Sequence, residues 1–339
     1  MNWEIKPATD FKQYKSDWDN LNIKGHNLPI LNSIFIESLL NHFFEDNEKL
    51  AIGYDQDKIA CMVFLRRKGL GQWESVMPSQ APICLMVQNE NSLTENTLKT
   101  LCKALPGWVL QLDLLQLDSR NLTIPTSSHI KTMDYITTGN RPIPSSFEEY
   151  FASLGKNLRQ NYNKVVNRAA RADQKLSTQL IVAPNEVTEA VTKYAEIEAR
   201  SWKAELGTAI TPSNIQGRFY SEMMTNLSQT KQACCWYYLV DNQVVACDLC
   251  VIQEHTLIIL KTTFDDAFKQ FSPALQLKVD MIRHYSEHPE LGITNIEFFG
   301  KAMEWHKRLD SELRGLFHLT YIEKVWVKFI LKIISSLRR

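Results

Sequence analysis

At 339 residues the chain exceeds the roughly 250–300 over which one hydrophobic core keeps growing, so two domains are expected. A composition of 44% hydrophobic and 22% charged residues excludes long disordered stretches. Lys plus Arg and Asp plus Glu each total 38, so no global field draws the chain to nucleic acid or an anionic membrane, and any such contact needs a local patch.

The opening Met1-Asn2-Trp3-Glu4-Ile5-Lys6 has no charged-then-apolar leader, and no run reaches the roughly 18 consecutive apolar residues of a membrane span. The seven cysteines form no disulfide-dense pattern. A cytoplasmic protein with reduced thiols is expected.

From Leu50 to Leu65 the pattern predicts a hairpin around Tyr54-Asp55-Gln56-Asp57, followed by a strand over Gln72–Met77. A helix over about Leu93–Leu105 and a strand over Trp108–Leu114 come next. Arg141-Pro142-Ile143-Pro144 marks a boundary, because closely spaced prolines oppose both helix and ladder pairing. The expected domains are therefore 1–140 and 141–339. Ser145-Ser146-Phe147-Glu148 has capping-box spacing and starts a basic helix over about 145–176, with a break near Gly155. A further helix carries Val187, Val191, Tyr194 and Ile197 at apolar spacing and ends near Trp202 and Lys203.

The second half repeats the first half's order of elements. Cys235–Val240 and Val244–Ile252 form a hairpin around Asp241-Asn242-Gln243. Thr256–Thr263 is a strand, Pro273–Tyr285 a helix, Thr294–Phe299 a strand, and Phe317–Ile322 closes the series. The hairpins also match in letters: Tyr54 to Cys61 aligns with Val240 to Cys247, with Asp, Ala and Cys identical. A duplicated unit explains shared order and shared letters together. Cys247 and Cys250 have knuckle spacing, but residues three apart on a strand face opposite ways, so they read as half-buried cysteines and not as metal ligands. From Tyr321 to Arg339 the tail puts Lys324, Lys328, Lys332 and Arg339 on one side of a helix and Trp326, Phe329, Ile330, Ile333 and Leu337 on the other. Such a helix packs on its own sheet or lies at the inner face of a membrane.

The feature with most chemistry is Ser272-Pro273-Ala274. Ser272 is expected as N-cap, Pro273 suits the first helical position, and the N–H groups of Ala274, Leu275 and Gln276 are left along the axis. Together with the positive end of the helix dipole, and with Lys269 just before, this makes an anion site.

The C-terminal stretch resembles the GNAT-like acyltransferases of the cellulose-biosynthesis CelD/BcsL type, relatives of the FemAB peptidoglycan-bridge transferases. The matching text is Phe264-Asp265, Phe271-Ser272-Pro273-Ala274-Leu275, Glu297-Phe298-Phe299-Gly300, Trp305-His306-Lys307 and Ser201-Trp202-Lys203. Ala274 replaces the family's usual Gly, and His306 its usual Tyr. The resemblance implies an α+β fold of two tandem GNAT-like (acyl-CoA N-acyltransferase) domains, each a mixed sheet flanked by helices. It also implies transfer of an acyl group from acyl-CoA, acetyl-CoA or longer, to an amine or hydroxyl, with no metal. The donor falls to the second half, because Met77-Pro78-Ser79-Gln80-Ala81-Pro82 puts a second proline where the first half would need helix donors.

On this reading Lys269, Phe271, Ser272, Ala274, Leu275 and Gln276 hold the donor. Asp248, Glu297 and His306 are the candidate general bases, His306 because it titrates near neutrality without tuning. Each also has a structural reading: Asp248 on a solvent face, Glu297 ion-paired with Lys307, His306 as a hydrogen-bonded residue. Lys307, Trp202, Lys203, Arg159 and Arg168 are the candidate acceptor-binding residues. The six basic residues from Lys156 to Lys175 read as a solvated face or as a cradle for a phosphorylated acceptor. The expected acceptor is a small molecule or glycan of envelope polysaccharide or glycoconjugate metabolism. A FemAB-type aminoacyl-tRNA reaction is the alternative, and a non-catalytic role in a biosynthetic complex is the third reading.

Overall fold

The computed structural model describes residues 1–89, 93–201 and 209–323. Trp202, Lys203 and the tail 324–339 lie outside the described residues, as does the helix expected over that tail. The chain divides into two compact units, 1–137 with 314–339, and 138–313. The expected second domain, 141–339, extends past the end of the second unit at Leu313. The strand that begins at Glu312 instead joins the first unit from Arg314 onward, where it is held by pairing and by an ion pair described below.

Unit 1 contains strands β1 (Asn2–Pro7), β2 (Lys49–Asp55), β3 (Lys58–Gly69), β4 (Gln72–Ser75), β5 (Met86–Gln88) and β6 (Gln111–Asp118), with helices α1 (Lys15–Lys24), α2 (Ser33–Phe43) and α3 (Glu95–Ala104). β1 to β4 are antiparallel neighbours in sequence order. β6 then pairs parallel to β4 from Gln72↔Gln111 to Glu74↔Asp113. Alternation sorts the side chains of this sheet. Val63, Trp73, Leu112 and Leu319 gather with Leu98 and Leu101 of α3. Phe64 packs with Phe11 and Trp18 instead. Trp18 is fully buried and its indole N–H donates to the Leu31 carbonyl at 2.6 Å, so the ring buries its area without leaving a polar atom unpaired. The returning strand β13 (Glu312–Ile322) pairs antiparallel with β6. Arg314 is anchored there by a bidentate bond to the buried Asp118, Nε to Oδ1 at 2.9 Å and Nη2 to Oδ2 at 2.8 Å.

Unit 2 repeats this order with the C-terminal half of β7 (Ile130–Pro142), then α4 (Phe147–Ser153), α5 (Lys156–Arg171), β8 (Leu176–Ile181), α6 (Pro184–Glu198), α7 (Ile215–Gln229), β9 (Ala233–Val240), β10 (Gln243–Gln253), β11 (Thr256–Phe264), α8 (Pro273–Glu287), β12 (Asn295–Glu297) and α9 (Glu304–Arg308). β8 to β11 are antiparallel neighbours, β12 is parallel to β11, and β12 pairs antiparallel with β7. The β9–β10 turn places Asp241 and Asn242 at φ 50° and 65°, the primed geometry that matches strand twist and that Asp and Asn tolerate. Along β9, Cys234, Trp236, Tyr238 and Val240 face α4, α5 and α8, whereas Cys235 and Tyr237 face α6. Cys250 lies on the first face and Cys247 on the second, and all seven cysteines are free and fully buried, not half-buried.

Two helix boundaries differ from expectation. The cap of α4 is Ser146, whose hydroxyl accepts from the Glu149 N–H at 3.3 Å, one residue later than the expected box. The basic helix breaks at Leu154-Gly155, as expected, but ends at Arg171 and not Lys175. Asp173 adopts φ 54°, and the Lys175 N–H donates to the Asp241 carboxylate at 2.8 Å, which fixes the chain in a turn.

Candidate active site

The parallel register of β11 and β12 runs only from Thr256↔Asn295 to Ile258↔Glu297, while β11 continues to Phe264. Where the two strands part, a cavity of about 410 Å³ opens against the start of α8. Thr262, Thr263 and Phe264 of β11 line it, with Lys269, Ser272, Pro273, Ala274, Leu275 and Lys278, and Ser201 and Trp305. Most of this wall is apolar.

Four of the six expected donor-binding residues meet here: Lys269, Ser272, Ala274 and Leu275. The other two do not line the cavity. Phe271 is core, lying under the Arg168 guanidinium at 5.2 Å. Gln276 is buried, with its amide donating to the Tyr162 carbonyl at 3.4 Å.

Ser272 is not a side-chain cap. It sits at φ 48°, ψ 46°, a left-handed conformation that aims its hydroxyl away from the helix, where it accepts from the Asn161 amide at 3.3 Å. Its carbonyl does the helix's work, accepting from both Leu275 and Gln276 N–H at 3.0 Å. Of the three expected axial donors, only the Ala274 N–H has no partner among the described residues. The anion site is therefore narrower than the letters implied: one backbone N–H, a small side chain and the dipole end.

The candidate bases are each committed. Asp248 is wholly buried, not on a solvent face, and forms an ion pair with Lys278 of α8. The Lys278 ammonium also reaches Thr262 Oγ1 at 3.4 Å. Glu297 is buried and is not among the lining residues, and its Oε1 accepts from the Phe298 and Phe299 N–H groups at 3.0 and 3.3 Å. It does not pair with Lys307, which is exposed and bonds Glu304 at 3.1 Å within α9. His306 stacks behind Trp305 with ring centroids 3.5 Å apart, and its Nδ1 accepts from the Met303 N–H at 2.8 Å. Burial, helped by the nearby Lys278 charge, pushes His306 down to about 4, so it does not titrate near neutrality as its residue type alone suggested.

The expected acceptor-binding arginines lie apart. Arg168 donates to the Gln270 carbonyl and stacks on Phe271. Arg159 donates to the Leu154 carbonyl at 2.9 Å and lines a separate groove with Phe147, Phe151 and Arg283. Sequence reasoning missed Lys278. Its signal was present: a lone base inside Leu275-Gln276-Leu277-Lys278-Val279, matched by a lone acid inside Ala246-Cys247-Asp248-Leu249-Cys250.

The short parallel register, the cavity beside it and the helix start define a GNAT-type fold. Residues 156–308 match the family described as acetyltransferase (GNAT) domain. No curated protein sequence matches the chain. Among solved structures, the chain is similar to FemX, with 12% identity, coverage of 97% of this chain and 99% of that one, and a TM-score of 0.59. A conserved protein of unknown function from Bacteroides thetaiotaomicron VPI-5482 gives 13% identity, 91% and 97% coverage, and a TM-score of 0.56. L-PGS from Bacillus licheniformis gives 10%, 93% and 95%, and 0.51. At these identities the likeness is one of fold.

Proposed function

We propose that unit 2 transfers an acyl group from acyl-coenzyme A to an amine or hydroxyl, the acceptor being a small molecule or glycan of envelope polysaccharide or glycoconjugate metabolism. The observation that carries this reading is the apolar cavity at the start of α8, opened by the parting of β11 and β12. A cavity of that kind suits a long, largely uncharged arm ending in a thioester, with the Ala274 N–H, the dipole end and Lys269 suited to a phosphate group.

In such a transfer the acceptor's lone pair attacks the thioester carbonyl, the carbon–sulfur bond breaks, and coenzyme A leaves as the thiol. The acceptor's proton passes to that sulfur or to solvent. Because Asp248, Glu297 and His306 are each committed, rate enhancement on this reading rests on positioning and water exclusion rather than on one of them as base. The aminoacyl-tRNA alternative needs cations along α5 open to phosphates, and two of them, Arg159 and Arg168, are engaged within the protein.

A native-state ligand must raise the melting temperature. Acetyl-CoA and longer acyl-CoAs at millimolar concentration are expected to do so, and Lys269→Ala and Ala274→Leu to diminish the shift. No shift with any acyl-CoA would sink the proposal.

A further inference from the structure

The wall of the cavity is mostly apolar, with charged side chains at two places, Lys269, suited above to a phosphate group, and the flank of α8. There Lys278 and Asp248, both at least nine-tenths buried, form an ion pair, and Lys278 itself lines the cavity. A buried pair of this kind is a poor way to stabilise a fold, since apolar residues of similar volume commonly do as well or better. The two groups are also incompletely satisfied. An ammonium has three N–H donors. Two reach Asp248 Oδ2 and Thr262 Oγ1. Asp248 Oδ1 is buried with no hydrogen-bond partner among the described residues.

We propose that this pair is a polar floor to the donor cavity and selects acyl groups bearing a hydroxyl over plain alkyl chains. The inference rests on the donor reading above and adds the class of acyl group. Charge decides the class. The pair is neutral as a unit, and the cavity's other lining cation, Lys269, is assigned above to a phosphate group, so an acyl chain ending in a carboxylate would bring a third charge to the pair. A hydroxyl brings no charge. It accepts from the third N–H of Lys278. A plain alkyl chain leaves the ammonium's remaining donor desolvated and unmatched, which is the costlier outcome.

The test is isothermal titration of the full chain with free coenzyme A, butyryl-CoA, 3-hydroxybutyryl-CoA and succinyl-CoA. The hydroxylated thioester is expected to bind about tenfold tighter than its alkyl match, the scale of one hydrogen bond to a charged group. In a Lys278→Met, Asp248→Leu double variant, which strands neither charge, that preference is expected to vanish or reverse, with free coenzyme A binding unchanged. Equal binding of butyryl- and 3-hydroxybutyryl-CoA by the native chain overturns the proposal, and this arm decides even if the double variant fails to fold. An unchanged ratio in a folded double variant also overturns it. So does a uniform loss across all thioesters, which would place Lys278 on the shared thioester carbonyl. Tightest binding of succinyl-CoA refutes the charge argument. Binding by none of the four removes the donor reading itself, and with it this extension.

Discussion

Because burial holds His306 at about 4 in the folded chain against an ordinary value of 6.5, the fold carries a calculable acid sensitivity. A depressed histidine contributes stability that is fully present above pH 6.5 and is lost as pH falls toward 4, because the unfolded chain binds the proton first. The full difference amounts to about 3 kcal/mol, of which about 2 kcal/mol is gone by pH 5. Protonation would also place a proton on the Nδ1 that accepts from Met303, and a cation beside Lys278. The comparison is native chain against His306→Asn, whose Oδ1 can replace Nδ1 as acceptor but does not titrate. Urea unfolding at pH 7.5 and pH 5 measures both. The variant is expected to be less stable at pH 7.5, having lost ring packing on Trp305 and Phe298. Its further loss on acidification should be smaller than the native chain's by about 2 kcal/mol. Other buried histidines, His26 among them, cancel in the difference. Parallel pH profiles for the two proteins would refute the burial argument.

Glu297→Gln keeps an acceptor for the Phe298 and Phe299 N–H groups and should leave unfolding free energy within about 1 kcal/mol, whereas Glu297→Ala removes that acceptor, leaving the Phe298 N–H its bond to the Gly139 carbonyl, and should cost about 1–3 kcal/mol. Retained acyl transfer in the Gln variant would mark Glu297 as architectural, and its loss would restore the carboxylate as a base. Glycine to alanine inside a helix usually stabilises by about 1 kcal/mol, but a Cβ at Gly217 would overlap the Thr211 carbonyl. Gly217→Ala should therefore lower the melting temperature, and a rise would count against that packing. Removing Arg314 as Arg314→Met leaves Asp118 buried and charged, and should cost about 3–5 kcal/mol by chemical denaturation, more than the Asp118→Asn, Arg314→Met pair.

Elements with strong alternation or strong caps were legible in the sequence. The hairpins at Asp55–Lys58 and Asp241–Gln243, the helix from Thr94 and the α8 helix all lie close to their expected places, because turn residues and apolar spacing act locally. β7 was not legible: Lys131 to Tyr135 are exposed and mixed in character, and partner strands distant in sequence hold the segment extended. The geometry of Ser272 was equally hidden. Ser-Pro is the spelling of a cap, and only the preceding turn, Asp266–Phe271, forces the left-handed backbone that turns the hydroxyl outward. Lys278 and Asp248 were each conspicuous as a charge among apolar neighbours. Their pairing depends on how α8 lies across β10, which one-dimensional spacing does not contain.

The two units share a plan and differ in the segment that follows the third strand. In each, the third hairpin-linked strand pairs parallel to a later strand over three residues. In unit 2 the chain leaves β11 through a short turn into a 15-residue helix, and the gap beside the short register stays open as the cavity. In unit 1 the chain leaves β4 through Met77-Pro78, and the residues that follow turn back as β5, pairing with β3 at Cys61↔Gln88 to Val63↔Met86. Pro82 denies that segment an N–H where a helix would present one. Buried Ile83, Cys84 and Leu85 lie in this returning segment. One plan thus gives an open gap or a filled core according to whether the segment after the third strand begins a helix or returns to the sheet. The position of a single Ser-Pro-Ala against a pair of spaced prolines is the sequence difference that tracks it.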